Sequence, residues 1–252
     1  MNPAPSNYSS FFKTLRFKGI SKNRIANTQV CRVKNKVPKI AVVLLSGGLD
    51  SATVLYFAQA QGYKCQALIF NYGQLHKKEV NCAVKIAKAS GCAYRILKIN
   101  FPWKGSALLD KKIKVRKEIT SGVPATYVPA RNIIFLSFAL SLAEVIKASA
   151  IFIGAHVQDY SGYPDCRVEF FKAFVKMAKE GIAAKHKIEI LAPLLNKNKS
   201  QIISLGRKFG VPFNLTWSCY RAGKKPCGEC ASCYYRAKGF KEAGLADPLI
   251  NI

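Results

Sequence analysis

Beyond Lys39 the apolar positions follow two alternating rhythms. Short, nearly unbroken apolar runs are separated by longer stretches in which apolar side chains return every three or four residues. KIAVVLL (39–45) predicts a buried strand, and Ser51 to Ala60 a helix closed by Gly62. KCQALIFNYG (64–73) predicts the next strand. HKKEVNCAVKIAKAS (76–90) sets Val80, Val84 and Ala87 on one helical face, with Gly91 past its end. AYRILKIN (93–100) predicts a third strand, RNIIFLSFALSLAEVIKA (131–148) a long buried helix, and SAIFIGAH (149–156) a fourth strand. DCRVEFFKAFVKMAKEGIAA (165–184) predicts an amphipathic helix, KIEILAPL (187–194) a fifth strand, and SQIISLGRKFG (200–210) a helix with a glycine stop. Residues 102–129 predict a long polar loop over the site. Alternation of this kind implies an α/β fold: a parallel sheet of about five strands with helices on both faces. Such sheets bind ligands at the carboxyl ends of their strands. The polar clusters SGGLDS, NYGQLH, GAHVQDYSGYPDC and LAPLLNKNKS each follow a predicted strand.

Composition narrows the classes. Half of the 252 residues are hydrophobic, yet no run approaches the roughly 18 apolar residues of a membrane span. No membrane partner is expected. The net charge is +27, from 40 basic and 13 acidic residues. That balance implies affinity for anions, although scattered lysines equally suit a plain solvated surface. Residues 1–37 are basic and Ser-rich, and the first acidic residue is Asp50. They read as a targeting peptide, a disordered basic arm or a start codon placed too far upstream, and stand outside the fold. The domain plan is then 1–37 extension, 38–212 α/β domain and 213–252 C-terminal segment packed on it.

The corner after the first strand has unusual chemistry. Gly47 and Gly48 permit a tight turn and close approach by an anion. The helix start beside them offers unpaired N–H groups and a partial positive charge. Ser46 and Ser51 add hydroxyls. Asp50 either caps the helix or holds Mg²⁺ against phosphates. Neither GxxxxGK[ST] nor GxGxxG is present. SGGLDS instead resembles the PP-loop (SGGxDS) of the N-type ATP pyrophosphatases, which cleave ATP between its α and β phosphates and adenylate a substrate.

The chain has nine cysteines. Four crowd together in CYRAGKKPCGECASCYYR: Cys219, Cys227, Cys230 and Cys233. Four thiolates around one ion suit structural Zn²⁺, with an iron–sulfur cluster as the competitor. Free thiols elsewhere point to a reducing, cytoplasmic compartment.

NYGQLHKKEV, YVPARN, GAHVQDYSGYPDCR, TWSCY, CGECASCYYRAKGF and EAGLADP together resemble the 7-cyano-7-deazaguanine synthase family of the queuosine pathway, over about residues 39–250. Leu75 departs from that pattern, where NYGQRH would place a basic residue. The resemblance implies a Rossmann-like, adenine nucleotide alpha-hydrolase-like fold. It implies conversion of 7-carboxy-7-deazaguanine and ammonia to a nitrile, using ATP and Mg²⁺ through an adenylated carboxylate and then an adenylated amide. A homodimer and no stable nucleic-acid partner are implied as well. On this basis Leu45, Ser46, Gly47, Gly48, Leu49, Asp50, Ser51, Tyr72 and Gly73 are ATP-binding candidates, with Asp50, Ser51 and Arg131 the catalytic ones. Arg131, Asn132, Gln158, Asp159 and Tyr160 are substrate-binding candidates. His76 and His156 are equally ligand contacts or structural histidines, whereas Trp217, Phe170 and Phe171 read as core. The rivals are a PP-loop enzyme acting directly on tRNA, such as a tRNA thiolase, which would need a redox cysteine pair, and a zinc-ribbon nucleic-acid binder.

Overall fold

Strand β1 (Ile40–Leu44) lies at the centre of a five-stranded parallel sheet. Its neighbours are β2 (Lys64–Asn71) on one side and β4 (Ala150–Phe152) on the other. β3 (Ala93–Lys98) and β5 (Glu189–Leu191) form the edges, giving the order β3-β2-β1-β4-β5. The structure, a computed structural model, describes residues 38–115, 122–156, 162–221 and 223–250. The expectations for residues 1–37 lie outside them.

Strands buried on both faces need apolar residues at every position, which explains the unbroken run in β1. Successive side chains point to opposite faces. Ala41, Val43 and Leu45 join Cys65, Ala67 and Ile69 in one core, against α1 (Leu49–Ala60), α2 (Lys78–Ala89) and α5 (Lys199–Lys208). Val42 and Leu44 join Leu68 and Phe70 in the other, against α3 (Arg131–Val145) and α4 (Val168–Gly181). Burying each such Val, Leu or Ile stabilises the fold by roughly 1.5–3 kcal/mol.

Two expectations change. α3 is not buried all round: Ile133, Phe138 and Val145 face solvent, because α3 forms an outer layer with only one face toward the sheet. The stretch after β3 is more than a polar loop. Leu108, Leu109 and Val128 enter the second core, and Leu75 N–H donates to Leu108 O at 2.9 Å. A further helix, α6 (Ala231–Glu242), follows the cysteines where no element was expected. It is held by Arg236, which donates to both carboxylate oxygens of Asp247 (2.7 and 2.9 Å), to Thr216 Oγ1 and to Phe213 O. All of these partners are buried, so removing one would leave an uncompensated charge. α6 also presses on α5: a Cβ on Gly239 would fall 2.4 Å from Lys199 Cγ.

Candidate active site

The strand order reverses direction between β1 and β4, and a cleft opens there at the carboxyl ends of the strands. The glycine corner forms its floor. Gly47 has φ +87°, and a Cβ there would sit 2.2 Å from Glu79 O and 2.8 Å from Ala83 N. The first glycine is therefore bare because α2 lies directly against it. Gly48, the N-cap of α1, has ordinary extended backbone and room for a Cβ. It lines the cleft, and packing within the fold does not require it to be bare.

Two serines lock the corner. Ser51 Oγ donates to Gly48 O (3.0 Å) and accepts from Ser46 N–H (3.2 Å). Ser46 Oγ lies 3.0 Å from Ser51 Oγ and accepts from Gly48 N–H. Ala52 N–H makes the first helical bond, to Gly48 O. The N–H groups of Leu49, Asp50 and Ser51 precede it and have no partner within the helix, which is the arrangement that binds anions.

Asp50 does not cap α1, which has no side-chain cap. Both of its oxygens accept from Lys199 Nζ, at 2.8 and 2.9 Å, and His156 Nε2 lies 3.4 Å from Oδ2. Burial alone would push the Asp50 carboxyl up; Lys199 and His156 outweigh it and hold the carboxyl far below its ordinary range. Lys199 Nζ also lies 3.0 Å from His156 Nε2. Lys199 neutralises the one anion in the corner.

Opposite the corner stands Arg131, the first residue of α3. Burial works against its charge, but Tyr72, Tyr163 and Asp165 outweigh that and raise its pKa above the usual range. Burial pushes the Tyr72 phenol up to about 12 against the pull of Arg131. Asp165 caps α3, not the helix that follows it: Oδ2 accepts from Asn132 N–H at 3.0 Å. Asn132 Nδ2 donates to Asp165 O (3.1 Å) and Cys166 Sγ (3.4 Å), tying the turn Pro164–Cys166 to α3. Glu79, in the first turn of α2, also lines the cleft, and burial pushes its carboxyl up to about 7 despite Arg131.

The far wall comes from the cysteine loop. The sulfurs of Cys219, Cys227, Cys230 and Cys233 all lie within 4.8 Å of one another. A tetrahedral zinc site with bonds near 2.3 Å sets its sulfurs ~3.8 Å apart, and Cys227 and Cys233 are 3.9 Å apart. A cluster with one iron per thiolate needs wider spacing, so the donor set fits a single metal ion. Backbone N–H groups of Arg221 and Cys227 donate to Cys219 Sγ, and that of Cys230 to Cys227 Sγ, each at 3.4 Å. Trp217 couples this loop to the corner. Its backbone N–H donates to Gly47 O (2.9 Å) and its indole N–H to Cys219 O (3.0 Å). Lys78 Nζ sits 3.5 Å above the ring and donates to Lys224 O.

Residues 40–244 match the family model described as Queuosine biosynthesis protein QueC. The chain belongs to this family. The 7-cyano-7-deazaguanine synthase of Pseudomonas fluorescens is 50% identical over 219 residues, 83% of this chain and 97% of the relative. That of Trichodesmium erythraeum is 48% identical over 224 residues, 83% of this chain and 99% of the relative. Among solved structures, the NMN synthetase of Francisella tularensis is similar with a TM-score of 0.46 and 16% identity, covering 85% of this chain and 81% of that one.

In this QueC-family chain the nominated residues divide. Leu45, Ser46, Gly48, Asp50 and Ser51 line the cleft with Tyr72, Arg131 and Asn132. Gly47 packs on α2, Leu49 is in the core, and Gly73 is exposed two residues after β2. Gln158, Asp159 and Tyr160 lie outside the described residues. Leu75 does not line the cleft. His156 is buried against Lys199, and His76 Nδ1 is buried without a hydrogen-bond partner among the described residues. Trp217, expected in the core, is buried and also lines the cleft. Lys199 and Glu79 were not nominated. Lys199 stood inside the polar cluster LAPLLNKNKS after the fifth strand, whereas Glu79 read as an ordinary residue of a helix.

Proposed function

We propose that this chain is an ATP-dependent ligase that converts 7-carboxy-7-deazaguanine and ammonia to 7-cyano-7-deazaguanine in queuosine biosynthesis. The observation that carries the reading is the preformed corner, whose helix N–H groups have no partner within α1, in a cleft that Arg131 also lines. The relatives named above supply the substrate class.

On this reading the N–H groups of Leu49, Asp50 and Ser51 receive the phosphates of ATP, with Lys199 cancelling the charge of Asp50 behind them. Mg²⁺ enters as the counter-ion of the nucleotide. Arg131 meets the substrate carboxylate or the α-phosphate; its fork of donors suits either. The carboxylate takes AMP, ammonia displaces it to give an amide, and the amide oxygen is activated and lost in the same way. Positioning and charge stabilisation do this work, so no side-chain nucleophile is required. The cysteine loop holds Zn²⁺ through four thiolates, a closed coordination that serves structure.

The eight described cysteines are all free thiols, which agrees with a reducing, cytoplasmic setting. No described helix is long and apolar enough to cross a membrane. Homodimer formation rests on the family resemblance alone. The tRNA thiolase alternative lacks support among the described residues. Cys65 and Cys92 lie at the amino ends of β2 and β3, about 20 Å of strand away from the cleft. Cys166 is the one described cysteine lining the cleft.

The test is product analysis by mass spectrometry with ATP, Mg²⁺, ammonium and 7-carboxy-7-deazaguanine. The wild type is expected to form AMP and the nitrile, and Asp50→Asn neither. Absence of AMP from the wild-type reaction would sink the reading.

A further inference from the structure

We propose that Glu79 receives ammonium in the cleft and removes the proton that prevents its nitrogen from attacking. The inference rests on the reaction proposed above, which consumes ammonia although most of it is ammonium at neutral pH. A base at the site is needed unless the enzyme waits for the small neutral fraction.

The cleft offers few candidates. Asp50 and Glu79 are the two carboxylates lining it among the described residues. Asp50 is committed: Lys199 takes both of its oxygens, and His156 stands beside it. No histidine lines the cleft among the described residues. Tyr72 stays protonated far above neutral pH. The Glu79 carboxylate, by contrast, makes no hydrogen bond or ion pair with any described residue. Its backbone carbonyl is pressed against Gly47, which sets the first turn of α2 beside the corner, and Glu79 lines the cleft there.

The groups acting on Glu79 come from three elements: Arg131 at the start of α3, Tyr72 at the end of β2, and Cys82 one turn along α2. The corner presents Ser46 and Asp50 to the same cleft. Arg131 favours the ionised carboxylate, while burial favours the protonated one and wins, setting the balance at about 7. A group so poised accepts a proton in one step and releases it before the next.

The step balances. One N–H bond of ammonium breaks and its proton goes to a Glu79 oxygen, leaving the electron pair on nitrogen. That pair forms the C–N bond to the adenylated carbon. The C–O bond to AMP breaks, its pair leaves with AMP, and the surplus N–H proton of the adduct passes to solvent.

The experiment compares ammonium with hydroxylamine, a nucleophile already neutral at pH 7, in wild type and Glu79→Gln between pH 6 and 9. In the wild type the ammonium-dependent rate is expected to rise through about pH 7 and level off. In Glu79→Gln it should fall roughly 100-fold at pH 7, the scale of general base catalysis, and then climb with the free-ammonia fraction. Hydroxamate formation should stay close to the wild-type rate. Equal losses with both nucleophiles, or an unchanged ammonium rate, would overturn the proposal. If the Gln side chain disturbs the corner, the wild type alone decides: the rise through pH 7 must vanish with hydroxylamine, and its persistence overturns the role of Glu79. Carboxylate-dependent exchange of pyrophosphate into ATP precedes any amine. Its absence in the wild type would refute the ligase reading itself, while its presence beside a failed Glu79 test refutes only this inference.

Discussion

The chain turns sharply in two places around the cleft, and it holds the two turns by different means. From Ser46 to Ser51 the corner is fixed by its own hydroxyls and by one glycine pressed on α2. From Cys219 to Cys233 four sulfurs converge to within 4.8 Å, with only weak N–H donors around them. Bringing four thiolates together is unfavourable unless a cation sits between them. The corner is therefore complete without a ligand, whereas the cysteine loop depends on one. Trp217 joins the two, since its backbone N–H bonds Gly47 O and its indole bonds Cys219 O. Loss of the dependent turn should thus reach the self-sufficient one.

The largest test breaks the loop. Cys230 is fully buried; metal analysis is expected to find one zinc per chain in the wild type and none in Cys230→Ser. Structural zinc contributes ~10–16 kcal/mol in small peptides. Even ~3 kcal/mol of that would lower Tm by about 6–12 °C in a chain of this size. Calorimetry with metal analysis checks this, and nucleotide affinity should fall with it. Metal loss without a change in Tm or affinity would uncouple the two turns.

Next come the two glycines, which look alike in sequence. Gly47→Ala puts a Cβ into the backbone of Glu79 at positive φ and should cost about 2–4 kcal/mol in urea unfolding. Gly48→Ala meets nothing nearer than 3.5 Å and should cost under about 1 kcal/mol, its penalty appearing in ATP binding. Equal destabilisation by both would contradict the assignment.

The smallest test uses pH. Asp50 has its pKa lowered by folding, so its contribution is full above the unfolded value of 3.8 and fades as pH falls below it. Lys199→Met should lose stability at neutral pH, and the deficit should shrink in acid. Glu79 has its pKa raised from 4.5 to about 7. Its protonated form stabilises below 4.5, and that contribution drains away as pH rises through 7. Glu79→Gln should therefore match the wild type in acid and exceed it above pH 7. Unfolding curves at pH 3, 4, 6 and 8 read both signs.

Physical range explains what was legible beforehand. The five strands and their intervening helices were readable because burial on both faces writes continuous apolar runs into β1 and β2. The corner was readable because its order is local to six residues. The four cysteines were readable because chemistry requires all of them. Helix α6 was not, since ASCYYRAKGFKE lacks a clean apolar stripe and is held instead by Arg236 on Asp247. Lys199 and Glu79 were missed for a related reason. Lys199 lies 149 positions from Asp50, and Glu79 reaches the cleft only through the packing of α2 on the corner. The solvent face of α3 escaped notice because an all-apolar helix gives no sign of which side the sheet covers.

The central claim is that the corner transfers AMP twice to the oxygens of one carboxylate. The most direct measurement follows those oxygens. With 7-carboxy-7-deazaguanine carrying ¹⁸O at both carboxylate positions, the account predicts two molecules of AMP per nitrile, each holding one ¹⁸O. Label remaining outside AMP, or nitrile formed with unlabelled AMP, would contradict it.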